Sequence, residues 1–146
     1  MSEPMPLKQV LQELAHNSSY LRQRAVKTLA ERSAEKDRWT QEERDQALTA
    51  LEITLNDKNK YVRLTAAQAM ARLDPSRNEP AQVLGELLAD SHRDVRASAA
   101  IALGGLGASA KNAIPILKTS LNDPVESVRK RVMEALDELG IDYSGS

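Results

Sequence analysis

The sequence has no cysteine and no phenylalanine, and aromatic residues make up 3% of it. Without cysteine there is no disulfide framework, no thiolate metal site and no cysteine nucleophile. With so few rings, the apolar content comes from Ala, Leu, Val, Ile and Met, a mixture that favours helices packed closely through small residues. No run of about 18 apolar residues occurs, so no membrane span is expected. Charge of one sign is not in excess either: 20 Lys+Arg face 21 Asp+Glu. A chain built to wrap nucleic acid would show a basic surplus, and an acidic disordered tail would show the opposite. The start, Met1-Ser2-Glu3-Pro4, has no basic segment leading into an apolar run and does not read as a signal peptide. These absences describe a soluble cytoplasmic protein that binds neither nucleic acid nor membrane. A length of 146 residues suits one domain, 1–146, with a real core.

What is present is a repeat. Val62-Arg63, Val95-Arg96 and Val128-Arg129 follow one another at intervals of 33 residues. Leu21-Arg22 opens a similar segment 41 residues before Val62-Arg63, which places an insertion at 33–39. Seven residues before each Val or Leu stands a leucine: Leu14, Leu55, Leu88 and Leu121. Four residues further back come Val10, Leu51, Leu84 and Leu117, and three before those Leu7, Leu48, Ala81 and Ile114. Steps of three and four mark one face of a helix. Each unit is therefore a helix A, a tight turn and a helix B.

The turn chemistry agrees. Asp57, Asp90 and Asp123 each stand five residues before the Val, between the two helices. Thr40-Gln41-Glu42-Glu43 reads as a capping box, and Asp123-Pro124-Val125-Glu126 comes close to one. Pro80 and Pro115 mark starts of A helices; Gly107 and Gly140 end B helices. The predicted helices are 6–16, 19–32, 40–56, 59–73, 80–89, 92–106, 112–122 and 125–139. The repeats are about 6–32, 40–73, 80–106 and 112–140, followed by a loose tail at 141–146.

Ankyrin arrays share the period but need Thr-Pro-Leu-His near each start, and tetratricopeptide arrays need Phe, Tyr and Trp at fixed offsets. Neither pattern occurs. The run Asp90…Val95-Arg96…Ala99-Ala100…Ala102-Leu103…Leu106-Gly107…Ala113-Ile114-Pro115…Leu117…Leu121…Asp123 resembles instead the short-period HEAT-like repeats typified by phycobilisome lyase subunits. The resemblance covers residues 7 to 140 and is strongest from 55 to 140. It implies an all-α fold, an α-solenoid (superhelix) of four helical hairpins with about eight helices. It says little about function, because the class includes bilin lyase subunits, chaperone-like helpers, scaffolds and a repeat-built hydroxylase. That hydroxylase holds iron with His-Glu pairs; no such pair occurs here, so its activity is not implied.

Chemistry-bearing groups are sparse. His16 and His92 fall in unrelated turns and read as solvated, since a metal site needs several convergent ligands. Gly104-Gly105-Leu106-Gly107 lacks the lysine and the strand-to-helix context of a phosphate loop. Glu42-Glu43 sits at a helix start, where acids suit the dipole. No catalytic residue, cofactor or metal is expected.

The repeated arginines read best as a structural ladder in which each reaches the turn acid of the following repeat. Arg22 is expected to meet Asp57, Arg63 to meet Asp90, and Arg96 to meet Asp123. His16 takes the acid position in the first repeat, and Arg129 has no fifth repeat to meet. The B helices are expected to line a concave face. Its exposed stripe runs through Gln23, Lys27, Ala30, Leu64, Gln68, Ala71, Ala97, Ile101, Gly104, Lys130, Glu134 and Asp137. Leu64, Gln68, Ala71, Ala97, Ile101 and Gly104 form an apolar centre with a polar rim, the make-up of a protein-binding patch. Tyr20 and Tyr61 hold the same repeat position and should be neighbours. Trp39 precedes the Thr40 cap, as a staple for the next helix or as a contact residue. The leading expectation is a non-catalytic adaptor or assembly helper, monomeric alone, that holds a helix or tail of another protein. The resemblance alone implies a bilin lyase-type subunit as the alternative. A third possibility, DNA binding in the manner of HEAT-like alkylpurine glycosylases, is opposed by Glu134 and Asp137 facing Lys27 and Lys130 on the stripe.

Overall fold

The computed structural model describes residues 4–144. Among them are eight α-helices, three short 3-10 segments and no strand. No helix among them is long and apolar enough to cross a membrane. Residues 145 and 146 of the predicted tail lie outside the described residues, as do Met1, Ser2 and Glu3 of the predicted start. The chain divides into two compact units, one ending at Asp74 and the other beginning at Pro75. Each holds two of the four repeats.

In the first unit α1 (Leu7–Leu14) and α2 (Ser19–Ser33) make one hairpin, and α3 (Gln41–Thr54) and α4 (Lys60–Leu73) the next. The hairpins stack A on A and B on B, with α1 against α3 and α2 against α4. Val10, Leu29, Leu51, Val62 and Met70, from all four helices, fill the core. The Thr40 capping box forms: its side chain accepts from the Glu43 amide at 3.1 Å, and the Glu43 carboxylate accepts from the Thr40 amide at 2.9 Å. The insertion contains a 3-10 turn, Lys36–Arg38.

In the second unit α5 (Glu79–Leu87) pairs with α6 (Arg93–Gly104), and α7 (Ile114–Thr119) with α8 (Glu126–Glu138); α6 packs along α8. The predicted helix at 112–122 is corrected here. Only six residues are α-helical, between 3-10 segments Gly107–Ala113 and Ser120–Asn122. Proline at its second residue and small residues before it give little to propagate an α-helix, and the 3-10 segment, through buried Ala110 and Ala113, packs on α5 instead. Asp123 is not the N-cap of α8 either; Val125 is. Gly140 closes α8 as expected, with φ +71°, Gly140 N–H donating to Asp137 O and Ile141 N–H to Leu136 O, a Schellman motif.

Candidate protein-binding surface

The repeated arginines organise both units. Arg22 Nε donates to Asp57 Oδ2 at 2.8 Å and Nη2 to Oδ1 at 3.2 Å. Arg96 grips Asp123 in the same way, Nε to Oδ2 at 2.8 Å and Nη2 to Oδ1 at 3.1 Å. Such planar forks are among the strongest ion-pair geometries. Arg63 and Asp90, the remaining expected pair, stand in different units. A feature the sequence did not reveal is that every one of these arginines also reaches back to its own turn. Arg22 Nη1 donates to the carbonyls of His16 and Asn17 at 3.0 and 2.9 Å. Arg63 Nη1 donates to Asp57 O at 2.7 Å, Arg96 Nη1 to Asp90 O at 3.0 Å and Arg129 Nη1 to Asp123 O at 2.7 Å. These carbonyls lie in the turn between helices A and B, so the guanidinium groups of Arg22 and Arg96 each close their own hairpin and clamp the next. Backbone partners carry no residue signature, which is why the pattern was invisible in sequence.

The turn acids are equally consistent. Asp57, Asp90 and Asp123 each accept from the backbone amide two residues on, at 2.8, 2.9 and 2.9 Å. His16 copies this with Nδ1, accepting from Ser18 N–H at 3.0 Å. It is a turn-former in the acid's place. No group of three or more His, Cys, Asp or Glu side chains that could hold a metal ion occurs among the described residues.

Burial works to raise the Asp57 carboxyl, but the hydrogen bond from Arg22, the Asn59 amide and the charges of Arg22 and Lys58 outweigh it and hold it below the ordinary aspartate value. Asp123 is lowered against the same burial by Arg96, the Val125 amide and the charge of Arg129. A carboxyl lowered in the folded state adds stability that is complete above its unfolded value, about 3.9, and is lost as pH falls through the folded value. Stability is therefore expected to drop steeply below about pH 4, with a shallower drop in Arg22→Ala. Urea midpoints followed from pH 6 to pH 2 check this; identical slopes in parent and variant would remove the pair as the cause.

The predicted stripe is only partly exposed. Ile101 is 54% exposed and Gln68 and Ala97 are half-buried, but Leu64 is only 9% exposed, and Ala71 and Gly104 are buried. The expectation that Leu64, Ala71 and Gly104 face solvent is corrected. Eight residues of α4 are buried, including Val62, Leu64, Ala66, Ala69 and Ala71, so it has apolar contacts around most of its circumference and not on one stripe. Gly104 is closed by close helix packing: a Cβ there would lie 3.0 Å from Ala135 Cα and 3.1 Å from Ala135 Cβ, on α8. Ala30 of the first unit is buried too.

The exposed apolar surface of the first unit's B helices lies elsewhere. Tyr20 and Tyr61 are 69% and 47% exposed. Between α2 and α4 they border a groove of about 360 Å³, also lined by Gln23, Arg24, Val26, Lys27 and Thr65. Their shared repeat position was the readable sign. The charged residues lining it are both cations, and Arg24 is held by Glu13 at 2.7 Å. Trp39 lies elsewhere in the unit. It is half-buried and lines a second groove with Pro4, Met5, Pro6 and Leu7, beside Arg32, which donates to the Met5 carbonyl. The fourth residue of α3, where a staple partner would stand, is Arg44.

A family model described as HEAT repeats matches residues 7–104 and again 47–137. Among solved structures, an engineered protein determined by the Northeast Structural Genomics Consortium is similar, with a TM-score of 0.61 and 20% identity over 92% of this chain. The chain spans 63% of that protein's length. At such identity the likeness speaks for the fold alone. A comparison with curated proteins finds no match.

Proposed function

This chain belongs to the HEAT-repeat family, and on that premise we propose that it is a non-catalytic protein-binding scaffold whose contact surface is the B-helix groove of the first unit. The observation that carries the reading is the pair of exposed tyrosines, Tyr20 and Tyr61, on either side of that groove. A tyrosine offers a large apolar face and a polar tip at small entropic cost, and it is enriched where binding energy concentrates. The groove gives such anchors a floor at Val26 and a rim of Gln23, Lys27 and Thr65. A helix or tail of another protein fits between two parallel helices. Ile101 on α6 is the more exposed of two apolar residues, with Met133 on α8, that the second unit's B helices offer a partner.

The test is to capture a partner from the source organism and titrate it calorimetrically against variants. Tyr20→Asp and Tyr61→Asp should each weaken binding at least thirtyfold, about 2 kcal/mol. Lys8→Asp, on exposed α1 surface, should leave affinity unchanged. Full affinity in both tyrosine variants, with loss in Lys8→Asp, would move the site to the A helices.

A further inference from the structure

Charge in the first unit is sorted by helix layer. On the B side, α4 has no acidic residue and α2 has one, Glu31. On the A side, α3 carries Glu42, Glu43, Asp45 and Glu52. Most guanidinium groups of the B helices are engaged within the unit: Arg22 on Asp57, Arg24 on Glu13, and Arg63 and Arg72 on backbone carbonyls. Lys27 differs from them. It is exposed, it lines the groove between α2 and α4, and its ammonium meets no hydrogen-bond or ion-pair partner among the described residues. It follows Tyr20 by seven residues, which is two turns, or about 10 Å, along a helix. The groove therefore has an aromatic end at Tyr20 and Tyr61 and a cationic end at Lys27, with Gln23 and Thr65 also lining it.

Taking that groove as the contact surface, we propose that its partner is an acidic amphipathic helix. One apolar side chain of that helix sits between Tyr20 and Tyr61, and a carboxylate two turns along it pairs with Lys27. A helix laid along α2 advances at the same rise per residue, so the apolar residue and the acid stand seven positions apart. The sorted charge supports the same partner at longer range: the B helices attract an acidic segment and α3 repels it, which orients the encounter toward the groove. A nucleic-acid strand fits less well, because it needs free cations at successive phosphates, and the other cation lining the groove, Arg24, is held by Glu13 at 2.7 Å.

The probe is a display library of randomised peptides of about 15 residues, long enough for a helix to form on binding. It is panned on the whole protein, with the Tyr61→Asp protein as counter-selection. The expected peptides carry a large apolar residue seven positions from Asp or Glu, and panning on Lys27→Glu should enrich Lys or Arg at that second position. In calorimetric titration of the best acidic peptide, Lys27→Glu should weaken binding about tenfold, since an attraction becomes a repulsion, and added salt should weaken the parent's binding. Lys27 is exposed, so the variant should unfold at the parent's urea midpoint. Enriched peptides that depend on Tyr61 but lack the acid, or carry it three positions away as an extended strand would, overturn the acidic helix and leave the groove as a contact surface. Peptides indifferent to Tyr61→Asp, or no enrichment at all, count against the groove itself and overturn this proposal with it. A labelled oligodeoxythymidine that binds more tightly than the peptide, and is lost in Lys27→Glu, gives the groove to nucleic acid and overturns it as well.

Discussion

Arg22→Ala should destabilise the first unit by about 2–4 kcal/mol, read as a lower urea midpoint. The size follows from how many groups one guanidinium satisfies. It holds both Asp57 oxygens and two carbonyls of the turn after α1, and the side chains of Arg22 and Asp57 are only 8% and 10% exposed. Removing it strands a carboxylate that burial already penalises. Arg22→Lys should recover less than half of the loss, because an ammonium cannot present two parallel donors to a carboxylate while also reaching the turn. A loss below about 0.5 kcal/mol, the usual range for a surface substitution, would show the pair to be incidental.

Gly104→Leu should cost the second unit roughly 2–4 kcal/mol, at the upper end of overpacking and beyond. The nearest obstacle to a new Cβ is backbone, Ala135 Cα at 3.0 Å, with Glu138 Oε2 at 3.0 Å beside it. A flexible side chain could swing away from the added atoms; a helix axis has to move. Gly104→Ala is the informative partner variant, since its gain in helix propensity, about 1 kcal/mol, opposes the same clash. Thermal unfolding of both variants checks the account. A Gly104→Leu protein as stable as the parent would mean that α6 and α8 are not held at this spacing.

The repeat period and the turn acids carried most of the fold. Val62, Val95 and Val128, with the leucines before them, located the hairpins, and the aspartates five residues earlier pointed to the ion pairs that Arg22 and Arg96 make. The segment before α7 escaped, because small residues such as Ala108, Ser109 and Ala110 suit an α-helix and a 3-10 turn alike. The surface was harder to read. Periodicity says which residues share a face but not how many faces of a helix are covered, so Leu64 and Ala71 were placed in solvent on a helix that is buried on several sides. Gly104 illustrates the same limit. A missing side chain reads equally as room for a partner or as room for a neighbouring helix, and only the position of Ala135 decides.

The central claim, that a partner protein seats on the first unit's B-helix groove, is tested most directly by site-specific photocrosslinking in the source organism. A photoreactive phenylalanine derivative is placed at Tyr20, at Tyr61 and, as the control, at Ile53, which is 75% exposed on α3. The account predicts that Tyr20 and Tyr61 yield the same protein adduct and that Ile53 does not. An adduct formed at Ile53, with none at either tyrosine position, would contradict it.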